Sequence, residues 1–189
     1  MNEPNPALLT KVFGLLRRIE ETELPRGVGL LGLGTRLVFA SVLLRFFWSS
    51  ALTKIDGFGL SLNAYAQIFP RKMEALGYDP SQLAAPYHFI AAFGTIAEFV
   101  LPLFILIGLF TRLSSLAMIG FIGVMTLTDI YGHGLTAETI GSFFNRFQDE
   151  VIADQRLLWV WMLIVLGVTG GGKIAVDRLL FPQPRESAK

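Results

Sequence analysis

Apolar residues run through this chain in long blocks. They do not alternate with polar residues at the period of a strand or of a surface helix. A helix of ~20 apolar residues spans a bilayer core of ~30 Å. Four blocks are of that kind: residues 28–52, 87–110, 113–131 and 157–172. The last is short but keeps Trp159, Trp161 and the run from Leu163 to Leu166. The pattern predicts an all-α fold, an integral membrane bundle of four transmembrane helices with short interfacial helices, in a single domain over 1–189. The first block exceeds the ~7–15 residues of a signal-peptide core and lacks a small-residue cleavage site, so it reads as a retained helix.

The segments between the blocks carry weaker patterns. In the arm 1–26, Leu8, Val12, Leu15, Leu16 and Ile19 fall at helical spacing with Lys11 and Arg18 off the stripe. This suits an amphipathic helix on the cytoplasmic membrane surface, or one packed on the end of the bundle. In the first long loop, Leu62, Tyr65, Ala66 and Phe69 suggest a half-buried helix ended by Pro70. In the second, Ile140, Phe143, Phe144 and Phe147 repeat at i, i+3, i+4, i+7, which predicts an interfacial helix.

Composition narrows the function. The chain is 52% hydrophobic and 16% charged. A net charge of +1 gives no field for nucleic acid, so none is expected as a partner. There is no cysteine, which excludes thiol redox chemistry, disulfides and thiolate-bound metals. Basic residues set the orientation. Lys11, Arg17, Arg18, Arg26, Arg112, Lys173, Arg178, Arg185 and Lys189 fall on one side, against Lys54, Arg71, Lys72, Arg146 and Arg156 on the other. Both termini are expected in the cytoplasm, with the protein in a bacterial inner membrane.

Ionisable groups inside the blocks are the candidate chemistry, because each costs at least ~2.5–3.5 kcal/mol there unless it meets a partner or water. They are Arg36, Arg45, Glu98 and Asp129. Gly94, Glu98 and Pro102 share one helix face, and Pro102 deprives the Glu98 carbonyl of its usual bond. Depth along the helices predicts the pairs Arg36–Glu98 and Arg45–Asp129, with the swapped pairs open. Two readings fit them: locks that set helix register, or the lining of a polar cleft for a small molecule or proton. His88 and His133, with Tyr131 and Lys54, collect at the opposite face from the termini; the two imidazoles read as interfacial hydrogen-bonders, as ligands of a haem or metal ion, or as contacts for a quinone head group. No metal cluster and no nucleophile–base pair is seen in the sequence, so neither a metal nor a catalytic residue is assigned.

Two stretches carry a family resemblance. TRLVFASVLLRFFWSSALTKIDGF places Arg36, Ser50, Lys54 and Ile55 in a pattern of arginine, apolar run and lysine. AEFVLPLFILIGLFTRLSSLAMIGFIGVM places Glu98, Gly108, Leu109, Thr111, Arg112 and Met125 in a Glu, Gly-Leu-x-Thr-Arg, apolar-span pattern. With DIYGHG and GGGKIAVDRLL, the chain resembles the DoxX family of four-helix membrane proteins over about residues 30–181. It looks most like the members associated with bufferin-type copper-peptide systems. The resemblance implies an accessory subunit of a membrane redox or stress-response system, quinone-associated and without a covalent or metal cofactor of its own. Its partners would be the bilayer and a membrane or periplasmic protein, with an oligomer open. The alternatives are a structural or assembly protein without ligand, and a small-anion transporter.

Overall fold

The computed structural model describes residues 28–180, with Thr10, Lys11 and Gly14 ahead of them. The arm stripe from Leu8 to Ile19 lies outside the described residues, as does the tail from 181 on.

Four helices are long and apolar enough to cross a membrane. They are α1 (Val28–Leu52), α4 (Ala85–Ile107), α5 (Thr111–Gly132) and α7 (Val151–Thr169). Between α1 and α4 come a two-stranded hairpin, β1 (Ile55–Asp56) with β2 (Gly59–Leu60), and the short helices α2 (Leu62–Ile68) and α3 (Pro70–Ala75). α6 (Ala137–Ile140) precedes α7, and α8 (Val176–Leu180) follows it. The spanning helices pack in a ring in which α1 touches α4 and α7, and α5 touches the same two. Phe39, Leu43 and Phe47 of α1 fill its centre with Ile105, Met118, Ile122, Trp159, Leu163 and Leu166. Each span exposes large apolar side chains on its outer side, among them Leu37, Phe93, Leu116 and Trp161, which suits contact with lipid.

The two long loops gather at one end of the ring, here called the loop end; Val28 and Leu180, which bound the continuous described stretch, lie toward the other, here called the termini end. A cap closes the loop end, built by Tyr65, Met73, Leu83 and Ala91 with Ile68, Phe69 and Tyr87 against them. Pro70 does end α2, but it also opens α3, since a proline at the first helical position loses no bond. The two-residue loop of the hairpin is Gly57-Phe58, and Gly57 supplies the positive φ (58°) that the tight hairpin turns need at their first central position. Asp79 caps the turn Pro80–Gln82. Hydrogen bonds from Gln82 and Ser81 hold its carboxyl below the ordinary value.

The expected interfacial helix over Ile140–Phe147 does not form; α6 stops at Ile140. Gly141 takes a positive φ, and the Glu150 carboxylate accepts from Ser142 N at 2.9 Å and Asn145 Nδ2 at 2.8 Å. Those bonds fold the segment into turns and leave Phe143, Phe144 and Phe147 exposed.

Three stretches within the spans are wound as wider π turns: Ala40–Leu44 in α1, Thr128–Gly132 at the end of α5, and Val151–Arg156 at the start of α7. Such turns break the normal hydrogen-bond ladder and are frequent at functional sites.

Candidate functional site

Two polar layers cross the bundle. The one at the termini end is closed. Arg36 donates from Nε to Ile105 O at 3.1 Å, from Nη1 to Gly171 O at 2.6 Å and Ile174 O at 2.7 Å, and from Nη2 to Leu106 O. Those carbonyls come from the C-terminus of α4, where Ile105 O also accepts from Gly108 N, and from the loop after α7. The fit depends on glycine. A Cβ on Gly108, which has φ 72°, would stand 2.8 Å from Arg36 Nη1 and 2.6 Å from Ala175 Cβ. Beside this hub, Asp177 caps α5 from a distance in sequence. Its carboxylate accepts from Phe110 N at 2.5 Å, Thr111 N at 2.9 Å and Thr111 Oγ1 at 2.7 Å. Arg112 is buried and passes over Gly170. The Gly-Leu-Phe-Thr-Arg turn is thus a joint between α4, α5 and the segment after α7.

The layer toward the loop end is open. Lys54 Nζ pairs with Glu98 Oε2 at 2.9 Å and donates to Ser50 Oγ at 2.7 Å. Across the same cavity Arg156 pairs with Asp129 and donates from Nη1 to Thr126 Oγ1 at 2.7 Å. The two ion pairs share the head of a cleft of about 660 Å³, which Gln67 and His133 also line. Its length runs between α4 and α5. Gly94 and Ala97 face Ala117 and Gly120 there, and these small side chains leave the space. Phe93, Ile96 and Val124 line it too and are exposed, so the cleft opens toward lipid.

Atoms at the head retain hydrogen-bonding capacity. Glu98 Oε1 makes no hydrogen bond among the described residues, since Lys54 takes only Oε2. Arg156 Nε is buried without a partner among them. Both members of the Asp129–Arg156 pair sit on π turns, so helix irregularity is concentrated where the cleft is polar.

The structure re-partners the charges predicted from sequence. Arg36 does not meet Glu98. Glu98 stands instead at the level of Lys54, because the start of α4 projects past the end of α1 into the cap. Trp48 Nε1 on Phe99 O at 3.2 Å marks the same level. Arg45 does not meet Asp129 but faces away from the bundle, and neither swapped pair forms. Arg156, expected among the loop charges, lies inside α7. The apolar Val151, Ile152 and Ala153 ahead of it were the signal that α7 begins earlier. The two histidines bond to different residues of α2. His88 Nδ1 bonds to Tyr65 Oη at 2.8 Å, His133 Nε2 lies 3.1 Å from Gln67 O, and Tyr131 is exposed. Among the described residues, no group of three or more metal-ligating side chains comes together.

A family model described as DoxX matches residues 33–129, about half of the chain. The matched stretch holds Arg36, Lys54, Glu98, the Gly108–Arg112 turn and Asp129, and ends before Arg156 and Asp177. No curated protein and no solved structure matches the chain.

Proposed function

This multi-pass membrane chain belongs to the DoxX family, and from that premise we propose that it serves a membrane redox or stress-response system as an accessory subunit that holds a quinone in its loop-end cleft. The observation that carries this reading is the cleft head. A quinone presents carbonyl oxygens that need donors, and its quinol presents hydroxyls that need acceptors. Arg156 Nε–H supplies a donor and Glu98 Oε1 an acceptor. The apolar groove behind them, open to lipid, suits an isoprenoid tail. A mostly apolar cavity of this size with a few convergent polar groups is the usual form of a small-molecule site. These residues orient the head and hold protons; electron transfer belongs to a partner.

The test is a thermal unfolding series in mild detergent with decylubiquinone. Ligand at 100 times its Kd stabilises a folded state by about 2.7 kcal/mol, which raises the unfolding temperature measurably. No shift for the wild-type chain refutes the reading.

A second reading, a structural protein without ligand, draws on Lys54. Its ammonium ties the end of α1 to the middle of α4 and is satisfied by Glu98 and Ser50. In that reading the pair is only a lock.

The proposed setting is a bacterial inner membrane with both termini in the cytoplasm. The charge asymmetry is sharper than it first looked. Lys54 and Arg156 are spent in buried ion pairs, which leaves Arg71, Lys72 and Arg146 as loop charges at that end. A reporter active only outside the membrane should work when fused near Gln148 and be silent after Lys189. The reverse pattern refutes this orientation.

A further inference from the structure

Arg45 is the charge in the spans that the bundle does not use. It has no hydrogen-bond or ion-pair partner among the described residues, whereas Arg36, Glu98, Asp129 and Arg156 are all engaged. It is exposed, and Leu43 and Phe47, two residues to either side, are fully buried. At about 100° per residue, two positions are about 200°, so Arg45 points away from the core. The π turn Ala40–Leu44 ends where it begins. Ser41 and Ser49, one turn before and after, are exposed on the same face.

Depth argues against a lipid phosphate as the counter-charge. Arg45 stands seven residues inside the end of the span Val28–Leu52, about 10 Å at the helical rise. Its Cα–Cβ bond tilts toward the helix N-terminus, which here is toward the bilayer centre. Reaching the nearer headgroups would mean bending back against that direction. A second copy offers no counter-charge either. The acids of the described spans are Glu98, held by Lys54, Asp129, held by Arg156, and Asp154, which accepts from Glu150 N at 3.1 Å at the end of α7.

We propose that the Ser41–Arg45–Ser49 face of α1 docks a membrane-spanning helix of another protein that carries an aspartate or glutamate at the depth of Arg45. The two serines let the helices approach closely, and a carboxylate–guanidinium pair made inside the membrane fixes register and partner together. This face is distinct from that of Phe46 and Ser50, which line the cleft. The inference therefore does not depend on the quinone reading.

The test reconstitutes the full chain in phosphatidylcholine vesicles with labelled leucine–alanine spanning peptides. Each bears Asp, Asn or Leu about 10 Å from one end, and association is read by resonance energy transfer. The Asp peptide should bind at least tenfold more tightly than the Leu peptide, with the Asn peptide between them. Arg45→Gln should abolish that preference while leaving circular dichroism and decylubiquinone binding unchanged. Equal binding of all three peptides, or an Asp preference that survives Arg45→Gln, overturns the proposal. Arg45-dependent retention of phosphatidylglycerol without an Asp preference overturns it in favour of a lipid site.

Discussion

The two polar layers of this bundle bury comparable chemistry in opposite ways. At the termini end one guanidinium meets carbonyls from α4 and from the loop after α7, and a carboxylate caps α5; glycines leave no room for anything else. Toward the loop end, two ion pairs face each other across a cleft, with a carboxylate oxygen and a guanidinium N–H unspent. A layer that ties its guanidinium to backbone carbonyls and its helix start to a carboxylate holds helices together. A layer that leaves polar atoms beside an apolar groove is arranged to receive something. On the proposed reading, one layer is architecture and the other receives the ligand.

The comparison can be broken most severely at Arg36. Arg36→Met removes four hydrogen bonds and leaves the carbonyls of Leu106, Gly171 and Ile174 without that donor, while Ile105 O keeps its bond from Gly108 N. At ~0.6 kcal/mol or more for each membrane hydrogen bond, the loss is on the order of 3 kcal/mol. Unfolding in detergent should show it, while the protein that stays folded keeps its decylubiquinone affinity. Asp177→Ala removes a helix cap and should cost about 1–2 kcal/mol, again without touching the ligand. Glu98→Gln leaves Lys54 without its counter-charge. It should cost about 1 kcal/mol, at the lower end because the site is open, and it should weaken ligand binding. Gly120→Leu sharpens the contrast. A Cβ there meets no atom within 4 Å beyond its own helix, and the rest of the side chain enters the cleft, so stability should stay within about 0.5 kcal/mol of wild type while the filled cleft loses its ligand.

The smallest effect belongs to neither layer. Asp79 has its pKa lowered in the fold by Gln82 and Ser81, so its contribution is present above the ordinary aspartate range. It fades as pH falls through the lowered value. Asp79→Asn should therefore flatten only the acid limb of the stability profile and leave ligand binding alone.

How much of this was legible in the sequence follows from what each feature depends on. The four spans rest on local hydropathy, and the pattern found them, though α7 starts at Val151 and α4 at Ala85. The charged residues were legible as a set, since any ionisable group in an apolar run needs explaining. Their partners were not. Pairing depends on how far each helix slides along its neighbours, and the cap that raises α4 past α1 is a tertiary feature. Asp177 is separated from Thr111 by the whole of α5 and α7, so no local spacing signals that cap. The π turns under Asp129 and Arg156 leave no mark in periodicity either. Hydropathy reported the bundle, and only packing reported which layer is closed.

The most direct test of the central claim is the double variant Lys54→Met with Glu98→Leu. Replacing both members of a buried ion pair by apolar residues is often neutral or stabilising. Unfolding in detergent should therefore return to the wild-type temperature or above it. If the open layer exists for a ligand, decylubiquinone should no longer stabilise this variant. A double variant that is stable and still binds decylubiquinone like the wild type would contradict the account, and would make the Lys54–Glu98 pair a lock of the same kind as the Arg36 layer.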